Sequence, residues 1–176
     1  MVKYKNAIFF DRDGTLIKSF YSSKKKIPIA IKYLKDFKII NNAKQVIKKL
    51  SEKYLILVIT NQPDVFRRKN TKKNVLKINS RLKENLKIDD IFVSYSSNDN
   101  NKMRKPNPGM IFLAKKKYKI NLKKSFVIGD THKDIIAGKK AKCKTILLKK
   151  KYNQNLNLNP DFIIEDLKDL LKIIRV

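Results

Sequence analysis

Four consecutive apolar residues, Ala7-Ile8-Phe9-Phe10, stop abruptly at Asp11-Arg12-Asp13-Gly14-Thr15, and this junction constrains the fold more than any other stretch of the chain. An unbroken apolar run this short reads as a strand buried on both faces, the mark of a parallel sheet with helices on either side. Two carboxylates then fall at the carboxyl end of a central strand, where ligands of open parallel sheets bind. Paired acids there suit a chemistry in which one oxygen attacks and the other handles protons, with a hard cation holding the substrate. Taken alone, the stretch also fits a plain Asp-x-Asp-Gly surface turn.

The length of 176 residues fits one domain, 1–176, with a full core. Hydrophobic residues at 42% and charged residues at 33% mark it as globular. No apolar run reaches membrane-spanning length and the chain enters its first strand directly, so a cytoplasmic protein without a membrane partner is expected. Cys143 is the only cysteine, which leaves no internal disulfide and no thiolate-rich zinc site. The formal charge of +28 would attract any polyanion. Its arginines are few (Arg12, Arg67, Arg68, Arg81, Arg104 and Arg175) and its lysines are scattered over every segment. Compositional drift therefore explains the charge better than a nucleic-acid face, which is kept as the second reading.

Along the chain, residues 16–40 read as an irregular loop, a flap beside the first strand too short to be a separate cap domain. Ala43, Val46, Ile47 and Leu50 then carry helical spacing, as do Val75, Ile78, Leu82 and Leu86 behind a Thr71 cap, and Met110, Leu113, Ala114 and Tyr118 behind Pro108. Further strands are predicted at 55–59, 91–95, 125–128, 145–148 and 162–164. Residues 153–159 read as a surface excursion, and Leu167, Leu170, Leu171 and Ile174 as a closing amphipathic helix. A right-handed crossover would make the first two core strands neighbours, bringing Thr60 beside Asp11. Thr60, Asn61 and Gln62 could there bind phosphoryl oxygens, or be merely a strand end and turn. Arg104 and Lys105, carried on a proline-stiffened turn, read either as a phosphate clamp or as solvated surface. The fourth core strand ends in Gly129-Asp130, and Asp134 sits where a helix capping box with Thr131 would place it. No such structural reason accounts for Asp130.

The order of these motifs, strand-Asp11-x-Asp13-Gly14-Thr15, strand-Thr60-Asn61-Gln62, Arg104-Lys105-Pro106 and strand-Gly129-Asp130 with Asp134, resembles the haloacid dehalogenase-like phosphatases over nearly the whole chain. The Asp-Arg-Asp-Gly, Thr-Asn-Gln and Arg-Lys-Pro-x-Pro-Gly-Met wording is similar to the D-glycero-D-manno-heptose 1,7-bisphosphate 7-phosphatases, enzymes of heptose precursors of bacterial surface polysaccharide, with histidinol-phosphate phosphatases close by. The resemblance implies an α/β fold: a doubly wound three-layer sandwich around a mainly parallel sheet, with a short flap at about 16–40 and no large cap domain. It implies Asp11 as nucleophile through an aspartyl-phosphate and Asp13 as general acid and base. Mg2+ would be bound by the Asp11 carboxylate, the Asp13 backbone carbonyl and Asp130, with Asp134 in support. Thr60 and Lys105 would hold phosphoryl oxygens, and Asn61, Gln62 and Arg104 would contact the rest of a small phosphorylated sugar. The expected enzyme is a monomer.

Two departures bear on the substrate. Heptose bisphosphatases usually carry a zinc loop of cysteines and a histidine just before the Arg-Lys-Pro turn, but residues 94–103 hold neither type. No zinc is therefore expected, and the loop must be ordered another way or stay mobile. Thr131 also stands where the family often has lysine. The alternatives carried forward are a histidinol-phosphate phosphatase, a polynucleotide 3'-phosphatase and an inactive binding protein on the same fold.

Overall fold

A computed structural model describes residues 5–23, 27–154 and 158–174; residues 1–4, 24–26, 155–157 and 175–176 lie outside the description, including parts of the expected 16–40 loop and 153–159 excursion. Strands run β1 (Ala7–Phe10), β2 (Phe20–Ser22), β3 (Ile27–Ile29), β4 (Leu55–Asn61), β5 (Asp90–Ser94), β6 (Phe126–Gly129), β7 (Lys144–Leu148) and β8 (Phe162–Ile164). Helices are α1 (Ala43–Leu50), α2 (Pro63–Phe66), α3 (Lys72–Asn85), α4 (Gly109–Tyr118), α5 (His132–Lys140) and α6 (Leu170–Ile173).

Six strands pair in the order β5-β4-β1-β6-β7-β8, every pairing parallel. The chain builds outward from β1 in one direction through β4 and β5, then returns to start again on its other side with β6. A topological switch point therefore falls at the carboxyl end of β1, where parallel sheets open a crevice.

All four β1 residues are buried, and their alternation divides the core. Ile8 and Phe10 pack with α1, α3 and α6, while Ala7 and Phe9 pack with α4 and α5. This gives the three-layer α/β sandwich, each fully buried Ile, Leu or Phe contributing about 1.5–3 kcal/mol. The α1 stripe is buried as its spacing predicts, and α3 begins at Thr71, whose Oγ1 accepts from the Asn74 amide at 3.1 Å. No helix among the described residues is long and apolar enough to cross a membrane.

Several expectations need correction. The described residues of 16–40 are not all irregular: β2 and β3 pair antiparallel, Phe20 with Ile29 and Tyr21 with Pro28, and a 3-10 turn follows at Leu34–Asp36. Leu16, Ile17 and Ile31 anchor this segment in the core, which polar neighbours in sequence disguise. On α4 the buried residues are Met110, Ile111 and Ala114, while Leu113 is 48% exposed. Tyr118 is half-buried and its hydroxyl donates to Asp90 at 3.0 Å. β4 continues through Thr60 and Asn61, because the sheet ladder with β5 pairs them with Val93 and Ser94. The closing helix is split into a 3-10 turn, Leu167–Asp169, capped by Asp166, and the short α6.

Candidate active site

The carboxyl ends of β1, β4 and β6 bring three acids, Asp11, Asp130 and Asp134, and one lysine into a buried cluster. The Asp11 amide donates to the Ile128 carbonyl at 2.8 Å, fixing the exit of β1 against β6. Lys105 reaches in from the turn after β5, and its Nζ donates to Asp11 Oδ1 at 2.6 Å, Asp134 Oδ1 at 2.6 Å and the Ile59 carbonyl at 2.7 Å. Carboxylate oxygens of Asp11, Asp130 and Asp134 all lie within 4.8 Å of one another. Asp134, expected only as a supporting and capping residue, is thus part of the cluster. It keeps its capping role through Oδ2, which accepts from Thr131 N at 3.1 Å and Thr131 Oγ1 at 2.6 Å.

Three buried carboxylates against one ammonium leave an excess of negative charge. Burial, with the neighbouring carboxylates adding to it, holds Asp11 well above the usual carboxylate range despite Lys105. Burial and the Asp134 charge push Asp130 up to about 6, partly offset by hydrogen bonds from Tyr152 and Thr15. Burial works against the Lys105 charge, but Asp11 and Asp134 outweigh it and raise its pKa. An all-oxygen donor set with surplus negative charge fits a hard divalent cation such as Mg2+, which completes its shell with water and phosphate oxygens.

Asp13 stands apart from the cluster. Its Oδ2 accepts from Arg12 Nε at 2.9 Å and Gln62 Nε2 at 2.8 Å, and its Oδ1 from the Ile31 amide at 3.3 Å. Arg12 is itself fully buried, held by Asn79 Oδ1 at 2.8 Å, and its Nη2 has no partner. Gly14 has φ +91°, and a Cβ there would lie 2.2 Å from Asp130 Oδ2, so the turn needs glycine twice over.

Other expected site residues are committed elsewhere. Thr60 is buried and accepts from Gln62 Nε2 at 2.8 Å. Asn61 clasps the backbone of Lys105, donating to its carbonyl at 2.9 Å and accepting from its amide at 3.1 Å, so its amide serves Lys105 rather than facing outward. Arg104 is buried and turned into the 96–107 loop, donating to Asp99 Oδ1 at 2.7 Å and the Ser96 carbonyl at 2.9 Å. Asp99 also accepts from Lys133 Nζ at 2.8 and 3.0 Å, and its carbonyl from Asn107 Nδ2 at 2.7 Å. Hydrogen bonds from Lys133 and Arg104 hold the Asp99 carboxyl below its ordinary range. This polar knot orders the loop that carries no cysteine or histidine.

Sequence reasoning gave no site role to Thr15, though it stands in the opening motif, nor to Tyr152 or Asn153. Thr15 Oγ1 donates to Asp130 Oδ1 at 3.2 Å and the Tyr152 hydroxyl donates to Asp130 Oδ2. Burial and the Asp130 charge raise the Tyr152 pKa, keeping that hydroxyl a donor. Asn153, expected on the surface, is buried, donating to the carbonyls of Asp130 and Leu148 at 2.9 Å each. The signal for the last two was their place just past the carboxyl end of a core strand. Cys143 is buried, which pushes its thiol up to about 12 and leaves it an apolar packing residue.

A family model described as polynucleotide kinase 3 phosphatase matches residues 6–162. The D-glycero-beta-D-manno-heptose-1,7-bisphosphate 7-phosphatase of Helicobacter pylori is 33% identical over 180 residues, covering 96% of this chain and 97% of the relative. The enzyme of that name from Pasteurella multocida is 29% identical over 188 residues, covering 97% of each. Among solved structures, D,D-heptose 1,7-bisphosphate phosphatase from B. bronchiseptica, complexed with magnesium and phosphate, superposes with a TM-score of 0.78 at 23% identity, covering 96% of this chain and 99% of that one. With its sheet order, its motif order and these matches along almost its whole length in agreement, the chain belongs to the haloacid dehalogenase-like phosphatases and is a phosphoric monoester hydrolase.

Proposed function

We propose that this protein is a magnesium-dependent phosphomonoesterase that works through an aspartyl-phosphate and removes the 7-phosphate of D-glycero-D-manno-heptose 1,7-bisphosphate. The observation that carries the reaction is the buried Lys105–Asp11 contact beside Asp130 and Asp134 at the switch point. The substrate rests on the named activity of the H. pylori relative, 33% identical over 96% of this chain.

In this reading a carboxylate oxygen of Asp11 attacks phosphorus in line with the leaving alkoxide. The Asp11–phosphorus bond forms, the ester bond breaks, and Asp13 gives the sugar oxygen its proton. Asp13 then takes a proton from water, whose oxygen attacks the same phosphorus and returns Asp11 with release of inorganic phosphate. Asp11 and Asp130, with the Asp13 carbonyl, would hold a magnesium ion, which would supply positive charge against phosphoryl oxygens that an ionised carboxylate could not approach alone. Lys105 supplies the second positive charge on the same oxygens. Gln62 and Arg12 orient Asp13, Thr60 lies at the phosphate end, and Asn61 holds Lys105 at its backbone. Arg104 shapes the substrate side through the 96–107 loop. Residues 1–176 are read as one domain with a flap at about 16–40, a cytoplasmic monomer.

A polynucleotide 3'-phosphatase is the second reading, favoured by the description of the matching family model and by the +28 charge. Phosphate release from heptose 1,7-bisphosphate, histidinol phosphate and a 3'-phosphorylated oligonucleotide, each with Mg2+ and at rising salt, separates them. The sugar bisphosphate should be the preferred substrate, with little salt dependence. Preference for the oligonucleotide with a steep salt slope would move the assignment to the second reading.

A further inference from the structure

Tyr152 has no part in the scheme above, yet it is built into the cluster from three sides. Its hydroxyl donates to Asp130 Oδ2, while Thr15 Oγ1 donates to the other oxygen of the same carboxylate at 3.2 Å. Its ring is stacked by Tyr21 of hairpin strand β2, with centroids 5.5 Å apart and planes 9° from parallel. Its neighbour Asn153 ties the local backbone to the Asp130 and Leu148 carbonyls. Gly14 leaves room for the contact, since a Cβ there would meet Asp130 Oδ2 at 2.2 Å and the Tyr152 hydroxyl at 3.1 Å.

We propose that Tyr152 is a positioning residue that holds the Asp130 carboxylate in its metal-binding orientation, and that the Tyr21 stack couples the 16–40 hairpin to that orientation. The inference rests on the proposed metal site. A carboxylate oxygen has two lone pairs, so a phenol can occupy one at Oδ2 and leave the other directed at an ion. Donors behind a ligating carboxylate fix its rotation and stabilise its anionic form, and their loss typically costs 10–100-fold in metal affinity. Tyr21 is half-exposed and stacks on Tyr152, through which its influence on Asp130 would pass. Whatever seats the hairpin then strengthens magnesium binding, and magnesium by the same factor favours the seated hairpin.

The test is Mg2+ titration of the full chain without substrate, read by calorimetry and by thermal shift. Tyr152→Phe, which keeps the stacked ring, should weaken Mg2+ about tenfold or more. Tyr21→Ala should weaken it about two- to tenfold, the range expected for loss of one aromatic pair, and Tyr21→Phe should restore the wild-type value. Unchanged or tighter Mg2+ binding in Tyr152→Phe overturns the proposal, as does equal loss in Tyr21→Ala and Tyr21→Phe. Tyr21→Ala alters a half-exposed residue, so it stays informative if Tyr152→Phe fails to fold. Asp130→Asn separates the two levels: loss of Mg2+ there with no effect of Tyr152→Phe sinks only the tyrosine role, whereas wild-type Mg2+ binding by Asp130→Asn sinks the metal site itself.

Discussion

Asn61 illustrates how one side chain can serve a reaction without touching the reacting atoms. Its amide satisfies both the amide and the carbonyl of Lys105, and Lys105 in turn bridges Asp11 and Asp134. Asn61→Ala leaves that backbone pair unsatisfied at a cost of about 1–3 kcal/mol and lets the ammonium wander. A drop in kcat with a lowered urea midpoint is expected, and an unchanged kcat would remove Asn61 from the machinery. Asp13 makes a sharper case, because its carboxylate faces Arg12 and Gln62 instead of the three clustered acids. Asp13→Asn should slow turnover by about a hundredfold or more while leaving Mg2+ affinity nearly intact, since only a backbone carbonyl is assigned to the ion there. Loss of Mg2+ binding in that variant, measured by calorimetry, would contradict the role.

Among the elements, those that bury a continuous apolar stripe were legible in the residues: β1, the α1 and α3 faces, and the strands ending at Asp11 and Asp130. The hairpin was not. Phe20 and Tyr21 are exposed and follow no core alternation, so nothing local distinguishes their strand from a loop. The α4 face was misread by one position, because Met110, Ile111 and Leu113 are all apolar and only packing decides which two turn inward. Within the expected 153–159 excursion Asn153 was misread, because asparagine signals a surface turn unless a carbonyl such as that of Asp130 awaits its amide, while Gln154 and Asn159 are exposed as expected. The 96–107 loop follows the same logic, since its knot joins Asp99, Arg104, Asn107 and Lys133 across long sequence gaps. Asp99→Ala should free Arg104 and loosen the loop, raising KM several-fold and speeding proteolysis within 96–103. The fold should lose only about 1 kcal/mol or less, because the Asp99 side chain is 58% exposed. An unchanged KM and cleavage pattern would mean the loop is held by other contacts.

For the whole molecule, the buried acids set a link between pH, metal and stability. Asp130 is pushed up to about 6 without an ion, so the folded state holds that proton more tightly than the unfolded chain does. Its contribution to stability is complete below about pH 4 and is lost as pH rises through about 6. Magnesium held as proposed would bind the ionised form and recover the loss. The Mg2+-induced rise in melting temperature should therefore be larger at pH 7 than at pH 4.5, and an equal rise at both would contradict a carboxylate-held ion. Comparing each pH with and without Mg2+ cancels Asp90, Asp99, Asp161 and Asp169, whose lowered pKa values act in the opposite sense. The proposed reaction is covalent chemistry at one carboxylate, and acid-quenched single turnover with heptose bisphosphate labelled in its 7-phosphate probes that carboxylate itself. A transient, hydroxylamine-labile label is expected on the peptide containing Asp11, absent from Asp11→Asn, which folds but releases no phosphate. Phosphate release at full rate with no label ever carried by Asp11, or turnover retained by Asp11→Asn, would contradict it.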